Sequence, residues 1–171
     1  RFFHCNYYFA GYNNHNYDDV IINYILEYYE KMSYMNRYRV TDSLFNLSQT
    51  IVQSEDGNIS RFKRWKYAHY FDSMDILKMM FSSKLRVGLK EMQMTMHYHN
   101  VQEFDGDFTQ YLPIERIDNM IEYNVNDVES TTELLNRQAK EVDLRRFIEA
   151  EYGINAYSMD SVAFGQAILA K

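Results

Sequence analysis

The sequence predicts a helix-rich α/β fold, because two short stretches have the character of strands and most of the remainder follows helical patterns. The first strand is expected at about residues 5 to 10, where Tyr7-Tyr8-Phe9 forms an aromatic run, and the second at about 70 to 77. The longest helical pattern runs from about 114 to 150. No internal repeat, low-complexity tract or linker interrupts the chain, so residues 1 to 171 are expected to form a single domain.

Composition and charge narrow the classes of function. Hydrophobic residues make up 46% of the chain, yet no run of about 18 apolar residues is present to span a membrane, and no signal peptide is visible. The single cysteine, Cys5, excludes an internal disulfide and is expected to be a buried apolar residue. The net charge of −6 argues against a plain DNA-binding domain, which is typically basic, more than against an enzyme whose carboxylates hold cations.

The stretch from Gly11 to Ile22 follows the first expected strand and predicts a turn and then a helix. Gly11 and the Asn residues suit the bend, and Asp18 falls in the first helical turn, where the helix dipole favours a carboxylate. Asn and Asp are also ordinary caps, so this pattern alone leaves a capping role and a functional role open. The helix is expected over residues 18 to 38, and Thr41-Asp42-Ser43 is expected to cap a second one.

Residues 59 to 67 alternate basic and aromatic side chains. Bases can stack on aromatic rings while Lys and Arg hold phosphates, so the segment is a candidate contact for single-stranded nucleic acid. A strand with one solvated face would show the same alternation. The sequence leaves both interpretations open.

The next patterns are helical. Residues 78 to 86 are expected to form a helix, and after Gly88 another helix is expected to begin at Leu89, with Met92 and Met96 on its apolar side. An acidic loop follows, which contains Asp105-Gly106-Asp107 but lacks the ligand series of a calcium-binding EF-hand.

The long helix is expected to start after Pro113, to bend near Tyr123 and to end at Gly153, before a short last helix over residues 158 to 169. Tyr123 and Asp127 are four residues apart and therefore lie on one face. An apolar stripe occupies the other side, so the phenol and the carboxylate are expected to point away from the core, into solvent or a cleft. The stripe consists of Ile114, Ile117, Ile121, Val125, Val128 and Leu135.

Four stretches, in their order and spacing across roughly residues 7 to 140, resemble motifs of the 3'-to-5' proofreading exonucleases of the DEDD superfamily, tyrosine subgroup. Asn13-x-x-x-Tyr17-Asp18 resembles the second exonuclease motif, and Tyr123-x-x-x-Asp127 resembles the third. Residues 71 to 77 are similar to the strand after the second motif, and residues 88 to 92 to the following helix start. The resemblance, which is to exonuclease domains of phage and family B DNA polymerases, implies a ribonuclease H-like α/β fold that here lacks its first strands and is therefore rich in helix.

The resemblance also implies an activity, which is trimming of the 3' end of single-stranded DNA by phosphodiester hydrolysis with two Mg²⁺ or Mn²⁺ ions. Asp18 and Asp127 would hold metal, and Tyr123 would orient the attacking water. Asn13 and Tyr17 would shape the turn or touch the terminal nucleotide, and Lys90 would lie near the substrate strand unless it is an ordinary surface lysine.

The expected setting follows from the same resemblance. The abundance of Tyr, Asn and Ile indicates an AT-rich coding genome and suits a phage. The implied partners are a polymerase domain of the same polypeptide or other phage proteins, with no membrane. The implied location is the cytoplasm of a host cell, with the virion as the alternative.

One departure from the family concerns its first motif, an Asp-x-Glu that supplies two further metal ligands. The sequence contains only one Asp-x-Glu, Asp127-Val128-Glu129, which lies inside the third motif, and the chain starts with Arg1. The chain is therefore expected to be a fragment, a processed product or a degenerate relative, and to be an active enzyme where the missing motif is supplied upstream. The alternatives are a non-catalytic domain that has a structural or DNA-holding role, and a 3'-to-5' exoribonuclease.

Overall fold

The computed structural model describes residues 9–53, 70–81 and 87–171 and shows a helix-rich α/β fold, as predicted. The chain divides into two compact units, unit 1 over Arg1–Ser73 and unit 2 over Met74–Lys171, and each is described by itself. Three predictions fall wholly or partly outside the described residues. They concern Cys5 with residues 5 to 8 of the first strand, the basic and aromatic segment 59 to 67, and residues 82 to 86 of the expected helix.

Unit 1 opens with the predicted strand, turn and helix. Strand β1 covers Phe9–Gly11, a 3-10 turn covers Asn14–Asn16, and helix α1 covers Asp18–Glu27. A Cβ atom at position 11 would come to 2.8 Å from Asn14 Cβ, so the turn requires glycine there. Asn13 adopts the left-handed conformation with φ 59°, which Asn tolerates better than most residues.

The helices that follow depart from the predicted boundaries. The single helix expected over residues 18 to 38 is divided into α1 and a short α2 over Tyr29–Ser33, and α3 covers Arg37–Val52. The expected cap at residues 41 to 43 was wrong, because Asn36 is extended and its side chain accepts a hydrogen bond of 3.0 Å from the Arg39 amide. Asn36 therefore starts the helix earlier.

The core of unit 1 forms where α1 packs on α3. Val20 of α1 is almost completely buried against Leu47 and Ile51 of α3. Tyrosines pack around these aliphatic side chains, and two of their hydroxyl groups are hydrogen-bonded to serines of α3. Tyr24 Oη, for example, lies 2.6 Å from Ser43 Oγ. The side chains packed around the cluster are Tyr17, Ile21, Tyr24 and Tyr28.

The second strand is shorter than predicted. Strand β2 covers only Ser73–Asp75, and helix α4 covers Ile76–Met80. The sequence predicted strand as far as residue 77 and helix from residue 78, so the helix is confirmed over 78 to 80 and begins two residues earlier than predicted. The reason is a cap, because the Asp75 side chain accepts a hydrogen bond of 3.3 Å from the Lys78 amide and so starts a helix at Ile76. The two strands are neighbours in a two-stranded sheet and run parallel.

In unit 2, helix α5 covers Leu89–Thr95, and Met92 and Met96 are buried, which confirms the predicted start and apolar side. The expected helix over 114 to 150 is a short 3-10 turn followed by α6 over Ile117–Arg137 and α7 over Ala139–Tyr152. The break lies at Gln138 and not near Tyr123, because the Gln138 amide is shared between the carbonyls of Leu134 and Leu135. Gly153, with φ 66°, ends α7 as predicted.

The side of α6 that faces the core was predicted wrongly. Most of the apolar stripe is exposed, with Val128 at 66%, whereas Leu134 on the other side is 2% exposed. The packed side is partly polar because Gln93 of α5 donates a hydrogen bond to Ser130, so the two helices are joined by side-chain amides and hydroxyls. The exposed stripe residues are Ile114, Ile117, Ile121, Val125 and Val128.

The last part of unit 2 is a small cluster formed by α7 and helix α8, which covers Ser161–Leu169. Ile148, Ala156 and Phe164 are buried in it, and the Asp160 side chain caps α8. Within the described ranges, none of the helices has the length and apolar character needed to cross a membrane.

Candidate functional site

Lys90, Tyr123 and Asp127 come together in unit 2. Lys90 lies at the start of α5, and Tyr123 and Asp127 lie one turn apart on α6. Lys90 Nζ is 2.5 Å from Asp127 Oδ1 and 4.5 Å from the centroid of the Tyr123 ring. The side chains of Lys90 and Asp127 are 22% and 23% exposed, so this centre is open to solvent on one side. The structure thus unites three of the predicted site residues.

Gln93 is a member of this site that the sequence analysis missed. Its side chain is fully buried, and Nε2 donates hydrogen bonds of 3.2 Å to Asp127 Oδ1 and 2.7 Å to Ser130 Oγ. Gln93 therefore fixes the Asp127 carboxylate from the interior while Lys90 reaches it from the solvent side. Helical spacing could have indicated Gln93. It lies three residues after Lys90, and Ser130 lies three residues after Asp127, so each pair shares one face of its helix.

The interior beside this centre is polar. Asn100 Nδ2 donates a hydrogen bond of 3.0 Å to Asn126 Oδ1, and the buried Tyr98 backbone amide donates one of 2.8 Å to Gln93 O. Burial raises the pKa of the Tyr98 hydroxyl above its ordinary value, and the carboxylate charge of Glu129 adds to the shift. The Tyr98 hydroxyl is therefore a neutral phenol next to a charged centre.

An aromatic loop supports the Tyr123 ring. The Phe104 ring contacts it with centroids 5.6 Å apart, and the Arg116 guanidinium lies 4.9 Å from the centroid of Phe104. Arg116 also forms an ion pair with Asp105, and this hydrogen-bonded cation lowers the pKa of the Asp105 carboxyl. Tyr123 thus contacts a cation, Lys90, and an aromatic ring, Phe104.

The predicted residues Asn13, Tyr17 and Asp18 lie in unit 1. Asn13 Oδ1 accepts a hydrogen bond of 2.6 Å from Asn16, so Asn13 shapes the turn as predicted. Tyr17 packs on the unit 1 core, with its hydroxyl 2.7 Å from Ser48 Oγ. Asp18 is exposed in the first turn of α1. The substrate and metal roles of these three residues stay predictions.

The buried carboxylate of this turn is Asp19, which the sequence analysis did not single out. Its Oδ1 accepts a hydrogen bond of 3.0 Å from Asn14 Nδ2, and its Oδ2 accepts one of 2.5 Å from Ser73 Oγ. His15 Nε2 lies 3.8 Å from Asp19 Oδ2 and 3.1 Å from Ser73 O. Asp19 therefore joins the turn to Ser73 and fixes the backbone that carries Asp18.

The oxygen ligands around Asp127 can be compared with those that a divalent metal ion needs. Asp127 offers the carboxylate oxygen that Mg²⁺ and Mn²⁺ prefer. Over residues 9–53, 70–81 and 87–171, however, no three His, Cys, Asp or Glu side chains are grouped so that they could hold a metal ion. The centre around Asp127 is therefore at most part of a metal site, and a complete one would need carboxylates beyond it.

Comparison of the chain with protein-family models, with curated proteins and with solved structures gave no match.

Proposed function

We propose that this chain is a ribonuclease H-like 3'-to-5' exonuclease domain that, once the carboxylates of a first Asp-x-Glu motif complete its site, trims the 3' end of single-stranded DNA by phosphodiester hydrolysis. The observation that carries the proposal is the contact of Lys90 with both Tyr123 and Asp127. The tyrosine and the aspartate are the pair on which the third-motif resemblance depends. Lys90 was predicted to lie near the substrate strand from a separate stretch, residues 88 to 92.

Each of the three side chains has a role in this proposal. The Tyr123 hydroxyl orients the attacking water, and the Asp127 carboxylate is the proposed ligand of a metal ion. Lys90 offsets the negative charge of Asp127, which would otherwise repel a phosphodiester at short range. Gln93 holds the carboxylate in place from the buried side.

Mg²⁺ or Mn²⁺ is part of the proposal as the source of an activated water and of charge stabilisation at the leaving oxygen. Asp127 would be a ligand in unit 2. Asp18 in unit 1 is a proposed ligand from the motif resemblance alone.

The test is trimming of a 5'-labelled single-stranded oligonucleotide with Mg²⁺ or Mn²⁺ by residues 1 to 171 alone and by the same chain extended with its upstream coding sequence, each as wild type and as Asp127→Asn. Trimming is expected only from the extended wild type. We expect Asp127→Asn to lower the rate at least about a hundredfold, because a charged ligand is lost, while binding of the oligonucleotide persists. Asp118→Asn is the matched control, since Asp118 is an exposed aspartate of the same helix. Undiminished trimming by Asp127→Asn would exclude the proposed role of the third motif.

A second candidate function is a non-catalytic domain that holds a DNA strand or a partner. It is favoured by the hydrogen bonds from Lys90 and Gln93 to the same oxygen of Asp127, which join α5 to α6 as a structural link would. In that case neither the chain alone nor the extended chain would trim DNA, and Asp127→Asn would lower the free energy of unfolding. An RNA oligonucleotide of the same sequence distinguishes an exoribonuclease from a deoxyribonuclease.

A further inference from the structure

A series of ring contacts connects the Tyr123 centre to the surface of unit 2. The Phe104 ring contacts Tyr123, and the Phe108 ring contacts Phe104 with centroids 5.8 Å apart. Phe104 is half-buried, whereas Phe108 is 59% exposed. We call Phe104, Phe108 and Tyr123 the aromatic series. The exposed ring of Phe108 is thus separated from Tyr123, the proposed catalytic tyrosine, by one ring, that of Phe104.

Two cations contact the aromatic series. Lys90 Nζ lies 4.5 Å from the centroid of Tyr123, and the Arg116 guanidinium lies 4.9 Å from that of Phe104. Lys90 and Arg116 retain partial exposure, at 22% and 33% of their side chains. Rings on which bases can stack, together with nearby cations for phosphates, are the features by which proteins bind single-stranded nucleic acid.

The loop that carries Phe104 and Phe108 is held in place by its own side chains. Asp107 Oδ1 accepts hydrogen bonds from the Thr109 amide at 2.8 Å and from Thr109 Oγ1 at 2.6 Å, and Asp107 Oδ2 accepts one from Gln110 at 2.9 Å. Asp105 is paired with Arg116. A platform that is already ordered loses less conformational entropy when a ligand binds.

Gly106 explains how Phe104 fits. A Cβ atom at position 106 would come to 2.8 Å from Phe104 Cδ1 and closer still to Cε1, so the ring lies directly over the glycine. In the Asp105-Gly106-Asp107 sequence, which does not match a calcium loop, the missing side chain of Gly106 thus leaves space for the Phe104 ring.

We propose that Phe108 is a stacking platform for a nucleobase of single-stranded DNA next to the 3' end, with the phosphates directed towards Lys90 and Arg116. The position of that base near the 3' end rests on the proposed function. A neutral base suits this surface better than a phosphate does, because Asp105 and Asp107 place negative charge in the loop. The strand must be single, because the bases of a duplex are already stacked on one another.

The test measures binding without cleavage, by fluorescence anisotropy of a 5'-labelled single-stranded oligonucleotide in EDTA. Phe108→Ala is expected to weaken binding by about fivefold to a hundredfold, the usual range for loss of one stacked base. Phe108→Trp is expected to retain the affinity. The matched control is Phe147→Ala on α7, because Phe147 is 56% exposed and makes a similar apolar surface away from the loop.

A second arm identifies the base. A single abasic site is moved one nucleotide at a time from the 3' end, and each oligonucleotide is titrated with wild type and with Phe108→Ala. At one position near the 3' end, the abasic site should weaken wild-type binding as much as the substitution does, and should have no effect on Phe108→Ala. Three results would overturn the proposal. The loss of affinity from the abasic site could add to that from Phe108→Ala at every position, Phe108→Ala could bind with unchanged affinity, or the wild type could fail to bind.

The two proposals fail in distinguishable ways. The stacking test needs no cleavage, so a chain that shows the expected abasic result but never trims DNA would retain the platform and lose the exonuclease activity. A chain that trims DNA, with Phe108→Ala unchanged in affinity, would retain the activity and lose the platform. Binding of RNA but not of DNA of the same sequence would contradict the assignment to DNA.

Discussion

Arg145 and Arg146 are neighbours in α7 with opposite environments. Arg145 is 1% exposed and donates hydrogen bonds to the carbonyls of Ala156, Met159 and Glu141, while Arg146 is largely exposed. The buried guanidinium thus ties α7 to the segment that follows it, and it also contacts the ring of Phe164. One side chain therefore holds the turn between α7 and α8.

We predict that Arg145→Met lowers the free energy of unfolding by about 3 kcal/mol, because the hydrogen bonds of a buried charged group to three carbonyl groups are lost. Arg146→Met is the control and should change it by less than about 0.5 kcal/mol. Urea denaturation followed by circular dichroism measures both. Equal effects of the two substitutions would contradict the role assigned to Arg145.

Tyr98 gives the protein a dependence on alkaline pH. Burial raises the pKa of its hydroxyl above the ordinary value of 10.0, and the carboxylates of Glu129, Glu133 and Asp127 contribute, while Lys90 opposes the shift. Above about pH 10 the unfolded chain loses this proton while the folded chain keeps it, so the folded state binds more protons. Stability must therefore fall as the pH rises.

We predict that Tyr98→Phe removes part of this alkaline loss of stability. At about pH 8 the substitution should cost little, because it deletes a buried hydroxyl that has no hydrogen-bond partner within the part of the chain that the structure describes. Urea denaturation at about pH 8 and about pH 11 should show a smaller difference for the variant than for wild type. Tyr157→Phe should likewise reduce the difference between the two pH values, since burial raises the pKa of Tyr157 as well. The same difference for Tyr98→Phe and wild type would refute the prediction.

At the scale of elements, the loop between α5 and α6 depends on the absence of a side chain at Gly106. The Phe104 ring occupies the space that a Cβ atom would need. Because Phe104 contacts Phe108, Arg116 and Tyr123, a displaced ring would disturb the whole aromatic series.

We predict that Gly106→Ala lowers the free energy of unfolding by about 1 to 3 kcal/mol, as overpacking does, and weakens binding of single-stranded DNA. Gly165→Ala is the control, because an added Cβ in that part of α8 meets nothing within 4 Å. Alanine in a helix is favoured over glycine, so the control should gain about 0.5 to 1 kcal/mol. Urea denaturation and fluorescence anisotropy measure the two effects. A Gly106→Ala variant with full stability and affinity would show that the ring adjusts without cost.

The exposed stripe of α6 is the other notable feature at this scale. Its branched aliphatic side chains follow helical spacing and are bordered on one side by exposed acidic residues, Asp118, Glu122 and Glu129. The interior side of the same helix is held by the amide and hydroxyl groups of Gln93 and Ser130. Amphipathic pattern therefore did not indicate which side of this helix faces the core.

At the scale of the whole molecule, the charge constrains how nucleic acid could bind. The chain has 24 acidic and 18 basic residues, so its net charge of −6 disfavours broad attraction of phosphates. Contact with a DNA strand must then rely on local cations and on stacking, which are the features of the Lys90 and Phe108 region. The acidic composition and the proposed aromatic platform are consistent with each other for this reason.

Features that depend on neighbouring residues were predictable from the sequence. The turn after β1, the start of α5 at Leu89 and the end of α7 at Gly153 were predicted correctly, because glycine geometry, caps and helical spacing act over a few residues. The presence of Tyr123 and Asp127 on one helical face was determined in the same way. Where local signals competed, as Asn36 did with residues 41 to 43, the predicted boundary was wrong.

Which of these groups are buried, and which contact one another, depends on long-range packing. Asn14 and Ser73 are 59 residues apart, and Lys90 and Asp127 are 37 apart, yet each pair is joined by a hydrogen bond. The burial of Asp19 rather than Asp18 depends on such distant contacts, and no local pattern records them. The physical reason is that the cost of burying a polar group is set by the partners that packing brings to it, and those partners come from other parts of the chain.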